Sequence, residues 1–100
     1  MIGYGYICIR YFPKSERFVI GADIRKSMLD LLGMIIGSSK KYYKKTALQN
    51  VDVELEKLRG LVRLSKDLGF LSFKRYETWS RYLVQVGNML GGWLKSVNQQ

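Results

Sequence analysis

The last quarter of the chain carries its clearest pattern. Tyr76, Trp79, Leu83, Val86, Leu90, Trp93 and Val97 recur at alternating steps of three and four. That spacing places them on one stripe of an α-helix, as in the seam of a helical bundle. Lys74, Arg75, Arg81, Gln85, Asn88 and Lys95 take the opposite face. Ser72 is the predicted N-cap, with Leu71 before it and Tyr76 after it as a hydrophobic staple. Gly87, Gly91 and Gly92 each cost about 1 kcal/mol against alanine in a helix. Such glycines are expected where another backbone comes close or the helix is about to end.

Two more amphipathic stretches precede this one. Ile20, Ile24, Met28, Leu31, Leu32, Ile35 and Ile36 form an apolar stripe and predict a helix over about residues 19–43. Gly33 and Gly37 share a face there and read as close packing against a neighbouring helix. Lys40, Lys41, Lys44 and Lys45 fall in its last turns, beside the negative end of the helix dipole. Thr46 followed by Gln49 reads as a capping box and starts a helix over about residues 47–68. Leu48, Val51, Leu55, Leu58, Leu61, Val62 and Leu68 are its inward positions, and Gly69 ends it. The last helix then spans about residues 73–97. The first dozen residues, MIGYGYICIRYF, fit strand or helix: β-branched and aromatic residues favour a strand, and Gly3 and Gly5 weaken a helix. Pro13, Lys14 and Ser15 read as a turn. The connections are short, so successive helices are expected to run antiparallel within one domain, residues 1–100.

Charge narrows the partners. Seventeen basic residues against eight acidic ones give a net charge of +9, which favours a polyanion. Cys8 is the only cysteine, so no intrachain disulfide forms, and its apolar neighbours mark it as a small core residue. Asp30 interrupts the longest apolar run, leaving nothing long enough to span a membrane. With no secretory pattern at the N-terminus, the expected location is cytoplasmic.

Catalysis is not expected. The chain has no histidine, and a lone cysteine without histidine makes no nucleophilic dyad. Asp52 and Glu56 lie four apart, but Lys57 and Arg59 follow Glu54 and Glu56 at three, the spacing of ordinary surface ion pairs. No catalytic residue, metal ligand or cofactor is therefore predicted. The candidate binding residues are basic. Arg59, Arg63 and Lys66 share one face of the third helix; Arg25 and Lys26 lie early on the second; Arg75 and Arg81 lie on the fourth. Lys40, Lys41, Lys44 and Lys45 surround Tyr42 and Tyr43, which either stack on unpaired bases or divide between core and surface. Arginine suits phosphate because its planar fork donates two parallel hydrogen bonds. Trp79 and Trp93 are expected to pack in the core or an interface.

Several segments also carry a resemblance. RYETWSRYL and GNMLGGWLKS, preceded by LRGLVRLSKDLGFLSFKRYE, resemble the C-terminal half of Avd, the accessory variability determinant of bacterial diversity-generating retroelements. FPKSERFVIGADIR and KKYYKKTALQNVDVELEKLR resemble its middle. The resemblance runs from about residue 4 to the end and rests on the order and spacing of these segments. It implies an all-α, antiparallel up-down-up-down four-helix bundle, and so a helix over about residues 4–12. It also implies a non-enzymatic scaffold, a homopentamer that binds the retroelement reverse transcriptase and its template RNA or RNA–DNA hybrid. The protein encoded by intervening sequences of 23S ribosomal RNA genes shares this architecture and is an alternative, as is a generic basic helical adapter or membrane-surface protein. The first helix departs from the family in being short, about 16 Å beside partners of about 37 Å. The expectation is a mis-assigned or truncated start, with an oligomer that covers the exposed groove, or a weakened domain, as the alternatives.

Overall fold

The structure is a computed structural model that describes residues 2–38 and 44–98. Its helices are α1 (Ile2–Arg10), α2 (Lys14–Arg17), α3 (Ile20–Ser38), α4 (Lys44–Asp67) and α5 (Phe73–Asn98). The fold is all-α, with four principal helices packed as a bundle and α2 a single added turn. Residues 39–43, with Lys40, Lys41, Tyr42 and Tyr43, lie outside the described residues.

Local chemistry sets the ends of α4 and α5. Gly69 adopts φ +82°, a conformation that side chains other than glycine's resist. There the Phe70 N–H donates to the Ser65 carbonyl at 2.9 Å and the Gly69 N–H to Lys66 at 3.0 Å, the paired bonds of a Schellman cap. Three residues later Ser72 Oγ accepts from the Arg75 N–H at 3.2 Å and caps α5. Leu71 is buried beside this cap, where the staple requires it. The predicted capping box at Thr46 does not form a helix start: α4 already begins at Lys44, so Thr46 lies inside it. Lys44 and Lys45 accordingly belong to α4 rather than to the last turns of the preceding helix. The predicted turn at Pro13 is tighter than expected, because Pro13 precedes α2 and its carbonyl accepts from Glu16 at 2.8 Å and Arg17 at 3.1 Å.

Cross-helix neighbours fix the directions. Lys66 lies over the Tyr76 ring near one end of α4, and Leu55 faces Gly87 farther along, so α4 and α5 are antiparallel. Ile9 meets Gly21 while Gly5 meets Met28, so α1 and α3 are antiparallel too. The core is built from Cys8, Ile9 and Phe12, then Ile24, Met28 and Leu31, then Val51, Leu55, Leu58 and Val62, and finally Trp79, Leu83 and Leu90. Burial of these side chains, worth about 1.5–3 kcal/mol for each large one, stabilises the bundle. Two buried hydroxyls are satisfied: Ser27 donates to Glu54 at 2.9 Å and Ser65 to the Leu61 carbonyl at 2.9 Å.

Gly5 is where α1 comes closest. A Cβ placed on it would sit 2.5 Å from Met28 Sδ and 3.0 Å from the Trp79 ring. Met28 can swing aside, but the ring is held on all sides. Gly5→Ala is therefore expected to destabilise by about 1–2 kcal/mol, the cost of overpacking less the helix propensity gained. Urea unfolding of the variant checks this; an unchanged midpoint would mean that α1 does not seat here.

Beyond α1 no described helix fills the channel between α3 and α5. α1 covers only the end nearest residues 10–20. Leu32 and Ile36 on α3 and Met89 and Trp93 on α5 are exposed, although the sequence pattern assigns three of them to apolar stripes. Leu68 is likewise exposed rather than inward, because the chain turns at Gly69 before another helix covers it. A Cβ on Gly33, Gly37, Gly91 or Gly92 would meet nothing within 4 Å, so the close packing expected of Gly33 and Gly37 is absent among the described residues. The half-filled channel agrees with the short first helix anticipated from the sequence.

Candidate nucleic-acid interface

The long faces of α4 and α5 hold Arg59, Arg63, Lys66 and Arg81 among the basic residues singled out in the sequence. Arg59 and Arg63 line a cleft of about 300 Å³ between the two helices, together with Glu56, Tyr76 and Ser80. Both arginines reach it because they lie four apart on α4. Neither is free of carboxylate. Arg59 pairs with Glu56 at 3.0 Å, and Arg63 approaches Asp67 at 4.0 Å. Lys66 shares Asp67 at 3.4 Å and lies 4.6 Å from the Tyr76 ring centre. Arg81 pairs with Glu77, and Lys26 with Asp30 at 2.8 Å, the contact that holds the Lys26 ammonium above its ordinary pKa. Exposed pairs of this kind contribute about 0–1 kcal/mol, so a phosphate can replace the carboxylate at small cost. The predicted Glu54–Lys57 pair does not form; Glu54 turns to Ser27 instead.

A second basic surface lies at the end of the bundle where α1 leads into α3 and α4 into α5. Its cations have no carboxylate partner among the described residues. Arg17 donates to the Phe12 carbonyl at 3.2 Å, and Arg25 to the Arg17 carbonyl at 3.0 Å. Both thereby satisfy carbonyls left at the ends of α1 and α2 while their charge stays uncompensated. Arg75 lies over the Tyr11 ring, 3.7 Å from its centre. Arg10, Lys14 and Lys74 are exposed nearby. The two connections are tied together by the Phe12 and Phe70 rings, whose centres lie 6.2 Å apart.

The predicted site residues therefore do not form one patch. Arg59, Arg63, Lys66 and Arg81 belong to the α4–α5 face, Arg25 and Arg75 to the connecting end, and Lys26 to the outer side of α3. Lys40 and Lys41 lie outside the described residues, as do the side chains of Lys44 and Lys45. Nothing in this arrangement makes a reactive centre of Cys8. Burial pushes its thiol pKa up, against a smaller pull from a Tyr4 hydrogen bond and the Arg75 charge. Such a thiol stays protonated and unreactive. Among the described residues no group of three or more Cys, Asp or Glu side chains is placed to hold a metal ion. No helix of the described residues is long and apolar enough to cross a membrane.

The model of the bAvd-like family matches residues 1–97, which is nearly the whole chain. The chain belongs to the bAvd-like family. No curated protein matches it closely enough to report. The family match spans the short α1 as well as the long helices, in keeping with a resemblance read from about residue 4 onward. In this bAvd-like protein the sequence reading overlooked Arg10, Lys14, Arg17 and Lys74. The signal that marks them is topological: in an up-down bundle the first and third connections meet at the same end.

Proposed function

We propose that this chain is a non-enzymatic accessory protein of a diversity-generating retroelement, which assembles as a closed homo-oligomer, a pentamer, in the cytoplasm and binds the reverse transcriptase together with template RNA or RNA–DNA hybrid. The observation that carries this reading is the family match over residues 1–97. A net charge of +9 supports it. Polymerisation belongs to the partner enzyme, and the accessory protein positions the template. Its means are electrostatic: each phosphate neutralised releases condensed counterions, which gives tight binding at low salt with little reading of sequence. The arginines of the α4–α5 cleft supply part of that charge on a rigid surface. The exposed Leu32, Ile36, Met89 and Trp93 supply the apolar surface that neighbouring protomers bury.

The test is co-precipitation of the retroelement reverse transcriptase with this protein, with and without nuclease. Capture that survives nuclease supports a direct protein contact, and capture lost on digestion supports an RNA bridge. Failure of both capture and RNA binding rejects the reading. Arg59→Ala combined with Arg63→Ala is expected to flatten the plot of log affinity against log salt by up to about two units of slope for structured RNA. Helicity stays unchanged, because exposed arginines contribute little to stability. An unaltered slope would remove the α4–α5 face from the RNA site.

A further inference from the structure

The connecting end of the bundle combines two properties that no other described surface combines. The first is uncompensated charge. Arg10, Lys14, Arg17, Arg25, Lys74 and Arg75 gather there, and none makes an ion pair with a carboxylate among the described residues. Glu16 and Asp23 are the acids of the same connections, and Asp67, at the end of α4, is held by Arg63 and Lys66. The second property is a set of aromatic rings facing outward. Phe18 is 73% exposed, Phe73 69% and Tyr11 60%. Side chains of this size usually drive burial, and the neighbouring Phe12, in the same connection as Tyr11 and Phe18, is 1% exposed. The fold thus buries one ring of this connection and leaves the others facing solvent.

We propose that this end is a binding surface for unpaired nucleotides, with Phe18, Phe73 and Tyr11 stacking on bases and the surrounding cations holding the backbone phosphates. The inference rests on the nucleic-acid reading above and specifies which form of nucleic acid this end takes. A duplex buries its base faces in its own stack and offers only edges and backbone, so outward rings gain nothing from it. A single strand offers a face of every base, and aromatic rings beside a basic track are the usual means of holding one without reading its sequence. Arg75 lying over Tyr11 presets one ring and one charge together, which lowers the ordering cost of binding. The α4–α5 cleft lacks this combination, because its arginines already have carboxylate partners. Basic and aromatic groups also suit an anionic membrane surface. However, α2 reads KSER, and the exposed Phe18 and Val19 that follow it lie in a turn, so no amphipathic helix is present here to lie in a lipid interface.

The experiment uses the full chain and three probes: a labelled oligouridylate, an RNA duplex of equal length, and vesicles containing phosphatidylserine. Phe18→Ala combined with Phe73→Ala is expected to weaken oligouridylate binding at least tenfold while changing duplex binding less than twofold. Arg10→Gln combined with Lys74→Gln weakens oligouridylate and lessens its salt dependence. Lys95→Gln, at the far end of α5, leaves oligouridylate affinity within twofold. Circular dichroism should be unchanged in all three, since every substituted side chain is exposed. If the aromatic variant binds oligouridylate as tightly as the parent while RNA binding persists, the inference is wrong and the functional reading stands. If the parent protein binds neither RNA probe at low salt, both fall. Vesicle binding lost in the aromatic variant, with oligouridylate binding intact, assigns this end to lipid and overturns the proposal.

Discussion

Trp79→Ala is expected to lower the stability of the bundle by about 3–5 kcal/mol, the upper range for a core substitution. A domain of this size has a total of about 5–15 kcal/mol, so the variant is left close to its unfolding threshold. The indole is fully buried and touches the α1 seat at Gly5. Removing it empties the space that joins α1 to α5, which the short α1 has few other contacts to offset. Trp79 also carries a cost in place: its Nε1 is buried without a hydrogen-bond partner among the described residues. Trp79→Phe deletes that orphan donor along with part of the ring, so its loss should be much smaller, about 1–2 kcal/mol. Urea unfolding followed by circular dichroism separates the two. Equal midpoints for the alanine and phenylalanine variants would mean that ring volume does not hold α1 in place.

The second large effect concerns association. Met89→Glu combined with Trp93→Glu is expected to raise the concentration needed for assembly by at least a hundredfold and to leave helicity unchanged. Met89 is 55% exposed and Trp93 41%, so part of each side chain remains to be covered, worth about 1 kcal/mol apiece. A carboxylate at either place must shed water without a partner, which costs several kcal/mol more. These losses recur at each interface of a closed ring. Sedimentation velocity over a range of concentrations measures the shift. A parent protein that stays monomeric at micromolar concentration, or a variant that assembles like the parent, would show that this channel is not covered by a second copy.

Much of the fold is legible in local chemistry. Gly69 and Ser72 act at the positions their sequence contexts indicate, because a left-handed glycine and a capping serine need only their immediate neighbours. The inward positions of α4 from Leu48 to Val62 also follow from spacing, since helices pack against that stripe along its whole length. Trp93, Leu32 and Ile36 lie on the apolar stripes the spacing marks and are nevertheless exposed in the single chain. Periodicity identifies the face that is apolar, but burial depends on whether another element reaches it, and α1 does not. Thr46 misled for a different reason: a Thr-x-x-Gln spacing occurs equally within a helix, and only the backbone preceding it decides. The candidate site was legible as a count of charges and not as a place. Pairing depends on rotamers across helix turns, so Arg59 and Arg17, alike in sequence, end with a carboxylate and a carbonyl respectively.

The half-length α1 also sets how the native state breathes. Ile24, Met28, Leu58 and Trp79 are fully buried, whereas Leu32 on α3 and Met89 and Trp93 on α5 are exposed. Local opening free energy follows burial, so amide exchange is expected to be slowest around Met28, Leu58 and Trp79, where α1 completes the packing, and faster along α3 and α5 past the reach of α1. α3 and α5 each lean on α4 rather than on each other, so α4 acts as the spine of the molecule and α1 as a half-length keystone set between the two outer helices.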